Sequence, residues 1–369
     1  MTPTHRPPFR ADHVGSLLRP QSLLELRERV RAGQASEEEL RAHEDACIRQ
    51  AVEMQEALGF ESITDGEYRR QTFHGDFLDR LENVEFRQIF PPGSTESGGH
   101  EAPFVAFVTD KIQRPDGGVE VENFKFLRSL TTRTARQTIP SPTMLHFRGG
   151  RDAIDQRAYP EMREFFADVA RVYREELADL AAAGCRYVQL DDTNLAYLCD
   201  EKMREQVRER GEDVDALPRE YARLINESIA DRPDDMAVCV HLCRGNAKSR
   251  WFAEGGYEPI AEVIFNELDV DGFFLEYDDE RSGGFEPLRF VPKGKKIVLG
   301  LVSTKHGALE DKDRIKRRID EAARHLPLEQ LCLSPQCGFA SIAEGNRITQ
   351  DDEKRKLGLV LEIAREVWG

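Results

Sequence analysis

The sequence contains no long hydrophobic run. Its longest aliphatic stretches, such as Ile297–Val302, are far shorter than the roughly 20 residues that a membrane-spanning helix requires. The first residues, Met1–Phe9, include no apolar segment of the kind found in a secretory signal peptide. We therefore expect a cytoplasmic protein that has no membrane partner.

Cysteines are few, and positive charges are fewer than negative ones. The 369 residues include seven cysteines, an odd number whose spacing does not resemble a disulfide framework. We expect reduced thiols, so a cysteine with a special role would be a metal ligand or a nucleophile. Lys and Arg number 52 against 68 Asp and Glu, and the net charge of −16 argues against a nucleic-acid partner or an anionic membrane surface.

Two nucleotide-binding motifs are missing. No Gly-x-Gly-x-x-Gly follows a predicted strand, and no Gly-x-x-x-x-Gly-Lys-Ser/Thr occurs. This argues against an open, doubly wound sheet with a second domain. The composition, 40% hydrophobic and 33% charged, is globular, and the length allows two domains or one large barrel.

Short β-branched or apolar runs alternate with longer amphipathic stretches along the chain. The eight predicted strands are Phe9–Val14, Glu61–Asp65, Arg136–Ser141, Arg186–Asp191, Ala237–Cys243, Gly272–Tyr277, Lys296–Val302 and Leu331–Pro335. The predicted helices are Leu23–Ala32, Glu37–Leu58, Glu161–Ala183, Arg219–Ile229, Lys312–His325 and Asp351–Val367. Eight such units predict an α/β fold, a single (β/α)8 TIM-type barrel over residues 1–369.

The alternation breaks between the second and third units. Phe104–Thr109 and Val119–Phe126 have the pattern of strands on either side of the turn-forming segment Arg114–Gly118. We predict that residues 83–130 form an insertion that carries an antiparallel β-ribbon and includes the loop Pro91–Gly99. Such an insertion could shade the barrel mouth or form a dimer contact.

Metal-ligand residues cluster where predicted strands end, the edge at which barrels of this type carry their active sites. His241 and Cys243 are two apart on one strand, so their side chains share a face. Glu276 ends the next strand, and Cys337 follows the last one. A buried histidine beside a buried free cysteine is the structural alternative, but four such residues around one rim favour zinc.

A zinc site with four protein ligands is ordinarily structural, whereas a barrel rim is a place for catalysis. A displaceable ligand would reconcile the two, and the carboxylate of Glu276 is the one that a substrate thiolate can best replace. Coordination deprotonates a thiol whose ordinary pKa is about 8.5, which makes it a nucleophile at neutral pH. These residues therefore indicate thiol alkylation.

Four carboxylates lie on the same predicted rim: Asp65, Glu67, Asp191 and Asp192. Paired carboxylates suit acid/base catalysis in a glycosidase or the binding of an ammonium group, and Asp65 and Asp192 could instead cap helices. Beside a thiol-binding metal, an ammonium anchor is the more economical role for Glu67 and Asp191. Ser16, after a glycine at a strand end, suits a contact with a substrate carboxylate.

One histidine is a candidate proton donor. His306 follows the seventh predicted strand and could act as an acid near neutral pH. A solvent-exposed loop histidine is the structural alternative.

Six motifs, in order along the chain, resemble a known family. They are His13-Val-Gly-Ser-Leu-Leu-Arg-Pro20, Asp65-Gly-Glu67, Gln189-Leu-Asp-Asp192, His241-Leu-Cys-Arg-Gly-Asn246, Phe274-Leu-Glu-Tyr277 and Ser334-Pro-Gln-Cys-Gly338. The set resembles the catalytic half of cobalamin-independent methionine synthase and its short single-barrel bacterial relatives.

The resemblance implies a zinc-dependent barrel that methylates homocysteine, with 5-methyltetrahydrofolate as the family's donor. It implies zinc ligands at His241, Cys243, Glu276 and Cys337. It implies homocysteine contacts at Ser16, Glu67 and Asp191, and a proton-donating histidine at His306.

Two departures from the family leave the methyl donor open. The full-length members have an additional N-terminal barrel without a counterpart in this sequence, and Arg244–Asn246 differs from their pattern. A simpler folate, a methylated sulfur compound or a methyl-carrying corrinoid protein could serve instead. A homodimer is the other partner considered.

Two further functions are considered. One is alkylation of another thiol, such as coenzyme M, by an epoxide, and the other is a non-enzymatic thiol- or metal-binding module. Glu67 and Asp191 favour homocysteine, since an ammonium group pairs with carboxylates whereas a sulfonate requires cationic contacts.

Overall fold

The structure is a computed structural model that describes residues 6–88 and 104–369, so the predicted loop Pro91–Gly99 lies outside the described residues. The helices are α1 Gln21–Arg31, α2 Glu37–Leu58, α3 Gly75–Leu78, α4 Val121–Leu130, α5 Met162–Ala182, α6 Asn194–Tyr197, α7 Glu201–Glu209, α8 Leu217–Ile229, α9 Glu258–Glu267, α10 Lys312–Ala322 and α11 Gln350–Trp368. The strands are β1 Ser62–Ile63, β2 Glu82–Gln88, β3 Phe104–Gln113, β4 Thr134–Ala135, β5 Gln137–Pro140, β6 Tyr187–Asp192, β7 Ala237–Leu242, β8 Gly272–Glu276, β9 Lys296–Val302 and β10 Leu331–Pro335. None of the helices in the described ranges is long and apolar enough to cross a membrane.

Six parallel strands, β5 to β10, form one sheet in chain order. Each strand pairs with the next along the chain, as expected when a helical connection returns the chain to the same edge. The register sets Asp191 of β6 beside His241 of β7, and Glu276 of β8 beside Gly300 of β9. The predicted reactive residues therefore lie at one edge of the sheet.

The pairing continues beyond both ends of this sheet. β1 pairs in parallel with β4, which precedes β5 by one residue. At the other end, Ala11 forms a parallel bridge with Leu333 of β10. The segment that precedes α1 also contacts the loop that follows β1. There the backbone N–H of Leu17 donates a hydrogen bond to the carbonyl oxygen of Gly66 at 3.0 Å. The α/β architecture is confirmed, while closure into eight strands remains a prediction.

The predicted first strand, Phe9–Val14, was wrong in its extent, because the segment makes a single bridge instead of a ladder. Asp12 supplies the physical reason. Its carboxylate accepts hydrogen bonds from the backbone N–H groups of Phe9, at 3.4 Å, and His13, at 2.9 Å. Local side-chain bonds of this kind compete with the ladder for backbone donors.

The predicted strand Val119–Phe126 was also wrong, because most of it belongs to helix α4. Val121, Phe124 and Leu127 are spaced three apart and buried on one side of that helix. This is helical periodicity, which outweighs the short alternation at the start of the segment. An antiparallel pair does form in the region, but β3 pairs with β2. That residues 83–130 are an insertion remains a prediction.

Two apolar clusters cover the two faces of the main sheet. The larger one packs side chains such as Val188, Val240 and Leu299 against the surrounding helices. The smaller one takes Tyr187, Cys239, Phe274, Val298 and Cys332 from alternate positions of the same strands and adds Phe9 and Val14 from the segment that precedes α1. Burial on both faces explains why these strands are continuously apolar in sequence.

Two long helices begin at residues that the sequence marks clearly. Before α2, the hydroxyl of Ser36 accepts a hydrogen bond from the N–H of Glu39, and the carboxylate of Glu39 accepts one from the N–H of Ser36. Thr349 and Asp352 make the same reciprocal pair before α11. Such capping boxes satisfy N–H groups that a helix start otherwise leaves unpaired. They account for the accuracy with which both helix starts could be predicted.

Helix α11 carries a buried carboxyl group, from which we predict a pH-dependent stability. Glu353 accepts a hydrogen bond from the N–H of Leu18 at 2.9 Å, and burial raises the pKa of Glu353 to about 8. Because the folded protein holds this proton more tightly than the unfolded chain, the contribution of Glu353 to stability should fall as the pH rises from about 4.5 to about 8. Glu353→Gln keeps an acceptor oxygen and removes the titration.

The stability of Glu353→Gln relative to the original protein should therefore increase with pH up to about 8, by at most about 1.4 kcal/mol per pH unit, and then level off. Urea unfolding of both proteins at intervals from pH 5 to pH 9 measures this difference. Two parallel stability curves would contradict the prediction.

Candidate metal centre and substrate cavity

Strands β7 and β10 bring three possible metal ligands together. His241 lies on β7, Cys243 directly follows that strand, and Cys337 lies just beyond β10. Their ligand atoms are all within 4.8 Å of one another, and the sulfur atoms of Cys243 and Cys337 are 3.3 Å apart. All three side chains are buried.

The protonation of this cluster suits a cation. A hydrogen bond from the thiol of Cys243, aided by the nearby His241, holds the pKa of Cys337 well below its ordinary value. Neither ring nitrogen of His241 has a hydrogen-bond partner of normal geometry within the described residues. Burying unpaired polar atoms is costly unless a ligand satisfies them. One imidazole and two sulfur atoms form a donor set that fits zinc.

The fourth predicted ligand, Glu276, lies beside this cluster but not within it. Its Oε1 accepts a hydrogen bond from the backbone N–H of Arg244 at 2.6 Å, while its Oε2 is buried and has no hydrogen-bond partner among the residues that the structure describes. Burial raises the pKa of Glu276, and the nearby Lys305 opposes that rise. Its role as a ligand remains a prediction.

Two predicted substrate residues, Glu67 and Asp191, form a buried pair of carboxyl groups. Thr138 donates its hydroxyl to Oε1 of Glu67 at 2.9 Å, and the side-chain amide of Gln189 donates to Oδ1 of Asp191 at 2.7 Å. Burial, together with repulsion from Glu67, raises the pKa of Asp191 to about 7. Burial likewise raises the pKa of Glu67, against the pull of Arg70. Such a pair favours a bound cation.

The backbone at Glu67 is held in a sparsely populated conformation. Its φ is +59°, in the left-handed region that non-glycine residues seldom adopt. The N–H of Glu67 donates to the carboxylate of Asp65 at 2.8 Å, and its carbonyl accepts from the guanidinium of Arg19 at 2.8 Å. Strain that neighbouring groups hold in place is typical of a functional position.

Ser16, the third predicted substrate residue, packs against the loop that carries Cys337. Its hydroxyl accepts a hydrogen bond from the N–H of Ala340 at 3.4 Å. A Cβ atom on Gly338 would lie 2.0 Å from that hydroxyl oxygen, so the close approach requires glycine.

A cavity of about 1520 Å³ opens at this edge of the sheet. Six of the eight predicted site residues line it: Ser16, Glu67, Asp191, His241, Cys243 and Cys337. Glu276 and His306 do not line it. The metal cluster and the carboxyl pair can therefore act on one bound molecule.

The side chain of His306, the predicted acid, lies outside the cavity lining and is 57% exposed. Its Nε2 lies 4.0 Å from the carboxylate of Glu310. Because it lies outside the cavity lining, its role as a proton donor remains a prediction.

A family model for the catalytic domain of the cobalamin-independent synthase matches residues 9–362, nearly the whole chain. The chain belongs to this family. The resemblance seen in the six sequence motifs is thereby confirmed, and the site described above lies in a synthase-type catalytic domain.

Named relatives agree with this assignment. The uncharacterized proteins YxjH and YxjG of Bacillus subtilis are 45% and 44% identical, over 98% of this chain and 95% and 96% of theirs. The 5-methyltetrahydropteroyltriglutamate–homocysteine methyltransferase of a Synechococcus strain is 24% identical over 90% of this chain. This chain spans 40% of that enzyme's length. The family is thus one of methyltransferases.

Solved structures show the same fold. The "Putative Vitamin-B12 Independent Methionine Synthase" of Listeria monocytogenes is 37% identical, with a TM-score of 0.78 and 99% of both chains covered. A B12-independent methionine synthase from a Shewanella strain, in complex with selenomethionine, is 19% identical, with a TM-score of 0.72 and 97% of both chains covered.

Two carboxylates of this site bond to backbone N–H groups. Of the two, only Asp192 does so in the first turn of a helix, α6, whose N-cap is Thr193, whereas the residues that follow Asp65 form a turn. Asp65 binds the N–H of Glu67, and Asp192 accepts from the N–H of Leu195 at 2.7 Å. Asp192 also accepts from the hydroxyl of Thr143 at 2.6 Å. Such contacts shape the loops that follow β1 and β6.

Sequence reasoning missed two buried cations of this synthase-family site. Arg70 lies 3.6 Å from Glu67 and 3.3 Å from Glu120, and Lys305 lies 3.8 Å from Glu276. Each is close in sequence to a residue that was singled out, Arg70 three positions after Glu67 and Lys305 directly before His306. The available indication was that each basic residue is close in sequence to a predicted site residue, which favours an ion pair at the site.

Proposed function

We propose that this chain transfers a methyl group to the thiol of homocysteine, which yields methionine, at a zinc ion held by His241, Cys243 and Cys337. The observation that carries the proposal is that this cluster and the pair Glu67–Asp191 line one cavity. A molecule with a thiol at one end and an ammonium group at the other can occupy both. Glu276 is proposed as the displaceable fourth ligand.

The metal and the chain have separate tasks. When bound, zinc supplies a Lewis acid that lowers the pKa of a coordinated thiol into the neutral range. The chain limits the exposure of the three ligands by burying their side chains, and it holds His241 next to Asp191 through the register of β6 and β7. A sulfur nucleophile would therefore form beside the group that binds the ammonium.

The ammonium anchor follows from the carboxyl pair. The carboxyl of Asp191, whose pKa is about 7, shares a buried space with Glu67. An ammonium group relieves the repulsion between the two carboxylates, so its binding would release any proton that they hold. We propose that Ser16, which lines the same cavity, binds the substrate carboxylate. A thiol with a sulfonate tail would face two carboxylates, which disfavours the coenzyme M alternative.

Asp191→Asn tests the anchor, because it keeps the shape of the side chain and removes the charge. We expect homocysteine binding to the zinc-loaded protein to weaken by about 1.5–3 kcal/mol, the typical loss of a hydrogen bond to a charged group. Binding of 4-mercaptobutyrate, which lacks the amino group, should not weaken. Titration calorimetry measures both affinities.

A matched control for this substitution is Asp231→Asn. Asp231 is 83% exposed and pairs with Arg174 on the surface. The Asp231→Asn substitution should leave the affinities for homocysteine and for 4-mercaptobutyrate unchanged. Equal homocysteine affinity in Asp191→Asn and the original protein would contradict the anchor.

A product assay tests the proposed reaction as a whole. Zinc-loaded protein is incubated with homocysteine and, separately, with mono- and polyglutamylated 5-methyltetrahydrofolate, a methylcorrinoid protein and methylated sulfur compounds. Methionine detected by mass spectrometry supports the proposal and identifies the donor. Alkylation of coenzyme M by an epoxide without methionine formation would replace it, and no turnover with any donor would favour the non-enzymatic alternative.

We also propose that the strands close into a (β/α)8 barrel. The parallel bridge between Ala11 and Leu333, the parallel pairing of β1 with β4, and the contact between Leu17 and Gly66 support this. Protection of the amide hydrogen of Asp12, which donates to Leu333, against solvent exchange would test it.

A further inference from the structure

A buried lysine lies against the fourth predicted ligand. The Nζ of Lys305 is 3.8 Å from Oε2 of Glu276 and 4.0 Å from Oδ2 of Asp278. The Lys305 side chain is only 10% exposed, and it does not line the cavity. It therefore contacts these two carboxylates and is not part of the cavity wall.

The hydrogen bonds of this group are incomplete. Within the described residues, the Nζ of Lys305 and the Oε2 of Glu276 are both buried without a hydrogen-bond partner. Their separation is somewhat longer than a charged hydrogen bond, which needs about 2.7–2.9 Å. The other oxygen of Glu276 is fixed by the N–H of Arg244. A small shift of the carboxylate about this fixed oxygen would join the two unpaired atoms.

The charges around the metal cluster show what such a shift would do. Zinc held by the thiolates of Cys243 and Cys337 and a neutral His241 would be electrically neutral. A substrate thiolate would add one negative charge, and a displaced Glu276 carboxylate would keep its own charge in a buried place. An unpaired buried carboxylate is costly, so displacement needs a cation nearby. Lys305 is the buried ammonium closest to Glu276 in the described part of the chain.

We propose that Lys305 forms an ion pair with the carboxylate of Glu276 when the substrate thiol replaces that carboxylate as the fourth zinc ligand. Lys305 would thereby set the affinity of the site for the thiol. This inference rests on the proposed function. The thiol enters as a thiolate and its proton passes to solvent through the cavity, while the carboxylate leaves with its charge unchanged. Lys305 is thus a positioning residue that acts through Glu276.

Lys305→Met removes the charge and keeps most of the side-chain volume. Without thiol, zinc should bind this variant as tightly as the original protein or more tightly, since Glu276 loses its competing partner. Homocysteine should bind roughly tenfold to a hundredfold more weakly, the usual range for coupling between two sites. Lys305→Arg should recover most of the homocysteine affinity.

The measurements are zinc affinity by chelator competition, homocysteine affinity by calorimetry, and the number of sulfur atoms around zinc by X-ray absorption. Homocysteine should raise the sulfur count from two to three in the original protein. In Lys305→Met the count should rise clearly less at a homocysteine concentration that only just saturates the original protein. Lys312→Met, which removes an exposed lysine paired with Glu362, is the control and should behave like the original.

Testing Lys305→Met in a protein that also carries Glu276→Gln distinguishes this role from a merely structural one. In Glu276→Gln no charge is displaced, so adding Lys305→Met should cause no further loss of homocysteine affinity. Lys305→Gln provides a second neutral side chain, and circular dichroism checks the fold of each variant. The same loss in both backgrounds, or no loss in Lys305→Met, would overturn the inference. If homocysteine adds no sulfur even in the original protein, the proposed function fails as well.

Discussion

Cys337→Ser should lose most of its zinc and, with it, methyl transfer. Cys337 is 2% exposed, and its sulfur lies 3.3 Å from that of Cys243. The hydrogen bond from Cys243 and the nearby His241 favour its thiolate form, which binds zinc strongly, whereas a serine hydroxyl stays protonated and binds poorly. We expect zinc affinity to fall by more than about 100-fold, since even outer partners of ligands are worth 10–100-fold.

Chelator competition measures this loss, and Cys47→Ser is the matched control. Cys47 is a buried cysteine on α2 and lies outside the metal cluster, so its replacement should leave zinc affinity unchanged. Thermal unfolding of both variants separates a lost ligand from a lost fold. Stoichiometric zinc bound with undiminished affinity in Cys337→Ser would refute the ligand assignment.

Arg136→Met should destabilise the folded protein by about 3–5 kcal/mol, the usual cost of breaking a buried ion pair. Nη1 of Arg136 lies 2.9 Å from Oδ1 of Asp12, and both side chains are fully buried. The guanidinium also donates to the carbonyl of His13 and lies over the ring of Tyr187. Removing it leaves the carboxylate of Asp12 buried without an opposite charge, within the segment that bridges to β10.

Urea unfolding gives the free energy of unfolding for this comparison. The double variant Asp12→Leu/Arg136→Met should recover part of the loss, because it leaves neither charge unpaired. Lys125→Met is the surface control. It breaks an exposed pair with Glu122 and should change stability by less than about 1 kcal/mol. A loss in Arg136→Met as small as in this control would contradict the buried role of the pair.

The sequence predicted those elements whose signals are local. Capping boxes at Ser36 and Thr349 fix the starts of α2 and α11, and continuous apolar runs mark strands that are buried on both faces. Where two local signals conflict, prediction failed. The segment from residue 119 to 126 alternates like a strand over a few residues, but its helical spacing at Val121, Phe124 and Leu127 decides the structure.

Much of the candidate site could also be inferred from the sequence. Parallel strands end at one edge, so residues that close successive strands, such as Asp191 and His241, must lie near one another. That rule brought His241, Cys243 and Cys337 together, and it brought Glu67 and Asp191 to the same cavity. The order of residue types along the chain was sufficient for this.

Only the tertiary structure decided which way individual side chains turn. His306 and Lys305 are neighbours in the chain, yet the histidine is exposed and the lysine is buried against Glu276. Likewise, one oxygen of Glu276 is bound by the N–H of Arg244, a contact that no spacing rule predicts. Loop conformation sets these directions, and it depends on packing between segments far apart in sequence, whereas the positions of the strand ends follow from periodicity and chain order alone.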